Sequence, residues 1–145
     1  MADFRLRPAA ASDSPAIKDL IHRVAINPMD LDWHRFVLAV DSSGRLLGCG
    51  QLKPHGRDVI ELASIAVEPS HRGQGVARAV IEHLLAAGPR PLYLTCRSRL
   101  GRFYEKWGFQ ALAADDMPPY FRRLARLAGV FGRLMDDRLL VMTLK

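Results

Sequence analysis

Val67-Glu68-Pro69-Ser70-His71-Arg72-Gly73-Gln74-Gly75-Val76-Ala77 joins two different kinds of sequence. Before it, Val59 to Val67 is long and largely apolar, as expected of a central strand buried on both faces, and Pro69 closes it. After it, Gly75 to Ala87 carries Val76, Val80, Ile81, Leu84 and Leu85 on one helical stripe, with Gly88-Pro89 as the stop. A glycine-rich turn that ends a buried strand and opens a helix can cradle an anion. The N–H groups of the first helical turn point outward, the helix dipole favours negative charge, and Gly73 and Gly75 let a bulky diphosphate approach the main chain. The same glycines also suit a tight turn without a ligand. Neither the Gly-Lys-Ser/Thr ending of a nucleoside-triphosphate loop nor the full Gly-x-Gly-x-x-Gly dinucleotide fingerprint is present.

Upstream, Phe4 to Arg7 alternates like an edge strand. Ser12 or Asp13 can cap a helix whose Ile17, Leu20, Ile21 and Val24 share a face, and Asn27-Pro28 stops it. Phe36 to Val40 and Leu46 to Leu52 read as an antiparallel hairpin across Asp41-Ser42-Ser43-Gly44, followed by a loop at Pro54 to Asp58. Downstream come a short strand at Leu92 to Cys96 and a helix through Leu100, Phe103, Tyr104 and Trp107 that ends at Gly108. Strands follow at Phe109 to Leu112 and Leu139 to Leu144. This order describes an α/β domain built on a mixed, twisted sheet flanked by helices.

The chain has 145 residues, which predicts one domain over 1–145. Hydrophobic types make up 49% and charged types 25%, which excludes a disordered or collagen-like chain. No apolar run approaches the length of a membrane span, and no signal-peptide pattern opens the chain, so a cytoplasmic protein is expected. Cys49 and Cys96 fit no metal spacing, and His22, His34, His55, His71 and His83 form no ligand cluster, so no metal is expected. Lys and Arg number 21 against 15 Asp and Glu, a net +6 that favours an anionic partner.

Arg72-Gly73-Gln74-Gly75-Val76-Ala77 satisfies the pattern Gln/Arg-x-x-Gly-x-Gly/Ala, and Tyr104-Glu105-Lys106-Trp107-Gly108-Phe109 satisfies Tyr-Glu-Lys-x-Gly-Phe on a later helix. With Ile65-Ala66-Val67 entering the first motif, the chain from Phe4 to Leu144 resembles the GCN5-related N-acetyltransferase (GNAT) superfamily. The resemblance implies acetyl-CoA as acyl donor, bound where the fourth and fifth strands splay apart. The backbone of Ile65, Ala66 and Val67 would pair with the pantetheine arm, and Arg72, Gly73, Gln74, Gly75, Val76 and Ala77 would wrap the pyrophosphate. It also implies direct attack by a primary amine, on a small molecule or a peptide.

Such transfer needs a base for an ammonium of pKa ~10, a donor for the developing oxyanion and an acid for the leaving thiolate. The resemblance supplies the Val67 N–H as the donor. Tyr104 matches the family's acid, although its aromatic neighbours also allow it merely to pack. Glu61, interrupting the apolar strand, is the candidate base, with an ordinary salt-bridged glutamate as the other reading; Glu68 is a weaker candidate. Where many members carry a cofactor-contacting Asn, this chain has Arg97. An acyl-CoA-binding module without turnover is the alternative function.

An extra segment, Asp115 to Asp137, precedes the last strand, where most members have a short hairpin. Phe121, Leu124, Ala128, Phe131 and Met135 share its apolar stripe, with Arg122, Arg123, Arg126 and Arg133 off it. This basic amphipathic helix can pack on the domain, wall the acceptor site or bind a surface. Asn27 to Phe36, with Met29 and Trp33, is also placed to shape that site. Residues 97–133 hold +5 of the +6, with no nucleic-acid motif beside them, so the expected anion is a phosphate-rich cofactor rather than DNA or RNA. A monomer or homodimer is expected.

Overall fold

The strands are β1 (Arg5–Pro8), β2 (Phe36–Val40), β3 (Leu46–His55), β4 (Val59–Val67), β5 (Leu92–Arg97), β6 (Gln110–Ala111) and β7 (Leu139–Leu144). The helices are α1 (Ser14–Arg23), α2 (Val76–Ala87), α3 (Gly101–Glu105) and α4 (Pro119–Gly132). The computed structural model describes residues 3–132 and 138–145, with the side chains of 129–132 outside the description. Among the described residues the strands are hydrogen-bonded in the order β1-β2-β3-β4-β5-β7-β6. β4 and β5 run parallel, while β1–β2, β2–β3, β5–β7 and β6–β7 are antiparallel. This is the mixed α/β sheet that the sequence predicts. By its contacts the chain divides into two compact units, Met1–Lys53 with Leu62–Gly88, and Pro54–Glu61 with Pro89–Lys145.

In the first unit, α1 buries Ile17, Leu20 and Ile21 against Phe36, Leu38 and Val40 of β2, Cys49 of β3 and Ala66 of β4. Burying each of the large aliphatic side chains stabilises the fold by about 1.5–3 kcal/mol. Asp13 precedes α1 without capping it. Its carboxylate instead takes two hydrogen bonds from Arg7, at 2.8 and 2.9 Å, and one from the Ala10 N–H at 2.7 Å. Helix α2 sits close over β3 because β3 carries glycines where it does. A Cβ at Gly48 would lie 2.5 Å from Val76 Cγ1, and one at Gly50 would lie 2.6 Å from Ile65 Cδ1 and 2.8 Å from Val80 Cγ1.

In the second unit, β5 and β7 pair along their length, from Leu92 opposite Leu144 to Arg97 opposite Leu139. Leu92, Leu94 and Cys96 form the buried face of β5, and Tyr93 and Thr95 alternate onto the other. Helix α3 is shorter than the aromatic stripe suggests. Ser98–Leu100 form a 3-10 turn before it, and the Trp107 and Gly108 N–H groups bond the Tyr104 and Glu105 carbonyls as its end tightens. Helix α4 begins at Pro119, where a proline costs no hydrogen bond, rather than at Asp115. Within it Phe121 is fully buried and Leu124 and Ala128 are half-buried; the Phe131 side chain, Arg133 and Met135 lie outside the described residues.

Candidate active site

The turn between β4 and α2 is built on two left-handed glycines, Gly73 at φ 76° and Gly75 at φ 84°, a conformation L-residues rarely adopt. A Cβ at either position would meet no atom within 4 Å. Gly75 precedes the first residue of α2, and no side chain caps the helix. The first-turn N–H groups of this twelve-residue helix are thus left to solvent or a ligand. Arg72 and Gln74 are exposed, and Val76, 1% exposed, anchors the helix start in the core.

The alternation of β4 is broken at Ser64, which adopts φ 59°. Its carbonyl accepts from Cys49 Sγ at 3.6 Å and its hydroxyl from Gln51 Nε2 at 2.9 Å. Ile65 and Val67 are half-buried and Ala66 is buried. Burial pushes the Cys49 thiol up to about 12, which leaves it an inert core residue. Glu68 is engaged at both oxygens by Arg23, at 2.7 and 2.9 Å, and this pairing holds its carboxyl below the usual range. Glu68 is thus held in a two-pronged ion pair with Arg23.

In the second unit, Glu61 is 7% exposed and lies opposite Tyr93, the one registered pair between β4 and β5 among the described residues. Its Oε1 is 2.7 Å from His55 Nε2, and its Oε2 accepts from Thr95 Oγ1 at 3.4 Å. The His55 ring stacks on Tyr120 at 3.7 Å and meets Phe121 edge-on at 5.8 Å. Phe121 also packs on Tyr93 at 5.4 Å, so the first turn of α4 packs over this cluster. The sequence places His55 in the loop at 54–58. β3 instead continues to His55, whose side chain is 12% exposed, and the signal was a His and a Glu six residues apart across a turn.

Tyr104 is 9% exposed and packs among Phe103, Trp107 and Phe109, with ring centroids 5.1, 6.4 and 6.2 Å away. No described residue hydrogen-bonds its hydroxyl. Burial, with a smaller contribution from Cys96, pushes the phenol up to about 12, so it holds its proton throughout the neutral range. The ring of Tyr104 is thus packed, while its hydroxyl is not hydrogen-bonded by any described residue. Gly101 of α3 lies against Leu140, which pairs with Cys96, so α3 covers the Cys96 face of β5. Glu61 bonds Thr95 on the opposite face of that strand.

The family model described as an acetyltransferase (GNAT) domain matches residues 32–111. Mycothiol acetyltransferase from Actinosynnema mirum is 33% identical over 87 residues, 55% of this chain and 29% of that protein. Amino-acid acetyltransferase from Mycobacterium tuberculosis is 33% identical over 91 residues, 55% of this chain and 52% of that protein. The chain therefore spans about half the length, or less, of these curated relatives. N-acetylglutamate synthase from Neisseria gonorrhoeae, solved in complex with coenzyme A and N-acetyl-glutamate, shares the fold. Its TM-score is 0.75 at 23% identity, over 100% of this chain and 36% of that one. With the matching domain covering more than half of its residues, from the approach to β2 through β6, the chain belongs to the GNAT acetyltransferase family.

Proposed function

We propose that this chain is an acetyl-CoA-dependent N-acetyltransferase that transfers an acetyl group to a primary amine by direct attack, as one domain with residues 115–137 inserted before β7. The observation that carries the proposal is the Arg72–Ala77 turn, with two left-handed glycines, open space before both and an uncapped helix behind. Those features fit a pyrophosphate, which needs close main-chain approach and several N–H donors. Acetyl-CoA supplies the activated thioester.

The remaining steps fall to side chains and backbone of this chain. Glu61 accepts the proton released as the amine nitrogen bonds the acetyl carbon. The Val67 N–H donates to the carbonyl oxygen as negative charge gathers there. Tyr104 gives its proton to the sulfur as the carbon–sulfur bond breaks. Ile65, Ala66 and Val67 hold the pantetheine arm through their main chain.

The test is acetyl-CoA-dependent thiol release with a panel of primary amines, Tyr104→Phe serving as the control. Thiol release that needs an amine and falls in the variant supports transfer. Tight acetyl-CoA binding without turnover on any amine would favour the acyl-CoA-binding module instead.

A further inference from the structure

Gln51 and Lys53, two residues apart on one face of β3 within the first unit, are buried polar groups whose bonding among the described residues is incomplete. Lys53 is 3% exposed, yet it forms no ion pair among the described residues, and its ammonium donates one hydrogen bond, to the Met29 carbonyl at 3.0 Å. An ammonium has three donors, and burying one without a counter-charge is costly. Two residues away, Gln51 is 0% exposed. Its Nε2 donates to the Asp30 carbonyl at 3.3 Å and to Ser64 Oγ at 2.9 Å, while its Oε1 is buried with no partner among the described residues. The Asp30 carbonyl can only accept, which sets the orientation of the amide and leaves Oε1 as the orphan.

The missing partners have opposite character. Lys53 lacks an anion and Gln51 lacks an N–H donor. Both groups hold the irregular segment between α1 and β2 by its main chain, at Met29 and Asp30. Asp30 stands at φ 57°, and its carboxylate lies 3.2 Å from Arg35 Nη1, itself a buried nitrogen without a hydrogen bond. Met29 itself is 68% exposed. A ligand carboxylate that replaces the Met29 carbonyl on Lys53 would neutralise the ammonium, and an amine N–H two to three bonds away would reach the Gln51 face.

We infer that Lys53 and Gln51 form a recognition site for an amino acid, with Lys53 binding its carboxylate and Gln51 Oε1 accepting from its amine. The inference rests on the N-acetyltransferase reading in naming this amino acid as the acceptor, and the carboxylate site itself is testable without turnover.

The experiment pairs L-glutamate, L-glutamine and L-leucine with 4-aminobutyrate, 4-aminobutanamide and 3-methylbutylamine, which lack the α-carboxylate. It uses the full chain and acetyl-CoA-dependent thiol release. At least one amino acid should exceed its decarboxylated counterpart in kcat/KM by about 100-fold or more, because a site built to bind a polar group rejects the analogue lacking it. Lys53→Met keeps the stem and removes the charge, and should bring that ratio within about 3-fold of one, chiefly through KM. A wild-type ratio near one for all three pairs overturns the inference, and needs no variant to fold. Calorimetric titration of the same amino acids without acetyl-CoA separates the two readings. Binding that Lys53→Met abolishes, in a protein that acetylates nothing, upholds the carboxylate site and removes the activity. Equal turnover of amines with and without the carboxylate does the reverse.

Discussion

His55 Nε2 lies 2.7 Å from Glu61 Oε1, with the two side chains 12% and 9% exposed. Among the described residues, the other bond to the carboxylate is the longer one from Thr95, at 3.4 Å. His55→Phe keeps a ring against Tyr120 but removes the close partner of a buried carboxylate, and should cost about 1–3 kcal/mol of stability. Glu61→Gln should lower kcat by about 10²-fold or more if Glu61 is the base. The two substitutions should be strongly non-additive in kcat, since each breaks the same pair. Kinetics of both single variants and the double variant, beside denaturant melts, check this; independent effects would show that His55 does not act through Glu61.

Tyr104→Phe removes a hydroxyl that no described residue bonds. Melting temperature should therefore stay within a degree or two of wild type, while kcat falls and acetyl-CoA affinity holds. The pH dependence follows from the raised phenol. A donor must keep its proton, and with the group pushed up to about 12 it does so well past the ~10 of an ordinary tyrosine. Saturated turnover should show no loss through pH 10. A basic limb that sets in near 9 and disappears in Tyr104→Phe would contradict the assignment.

Gly75→Ala and Gly75→Asp separate strain from charge at the proposed pyrophosphate turn. Each must accept φ 84° with open space before its Cβ, a strain of about 1–2 kcal/mol. Only the aspartate adds a negative charge where an anion is to bind. KM for acetyl-CoA should rise modestly in the alanine variant and at least about 10-fold more in the aspartate, with calorimetry tracking the same order. Unchanged binding in Gly75→Asp would remove the turn from the cofactor site.

Gly50→Ala probes the seat of α2. The new methyl would stand 2.6 Å from Ile65 Cδ1, 2.8 Å from Val80 Cγ1 and 3.0 Å from Leu84 Cδ1. Three neighbours cannot all yield, so a loss of about 1–3 kcal/mol is expected from overpacking. Equilibrium unfolding in urea measures it, and a neutral result would mean that α2 shifts without cost.

Strand and helix types, the glycine turn after β4 and the family were legible because each is written in short-range pattern. Alternation, helical spacing and the residues that accept positive φ act within a few positions of one another. Helix ends were less legible, as at α3 and α4, because 3-10 turns compete with them over a single turn of chain.

The partners of the polar side chains were decided by the tertiary structure alone. Glu61 and Glu68 are both carboxylates at the margins of an apolar strand, and periodicity cannot rank them. Folding brings Arg23, 45 residues away in sequence, onto Glu68, and brings His55 and Thr95 onto Glu61. From sequence, Gln51 reads as an ordinary position of a hairpin strand and Lys53 as the residue between that strand and the next loop. Sheet register and the cover of the segment around Met29 and Asp30 make them buried groups with bonds to spare. Composition and spacing determine which groups a chain has available; burial, which depends on residues far apart in the chain, determines which of them remain unsatisfied and open to a ligand.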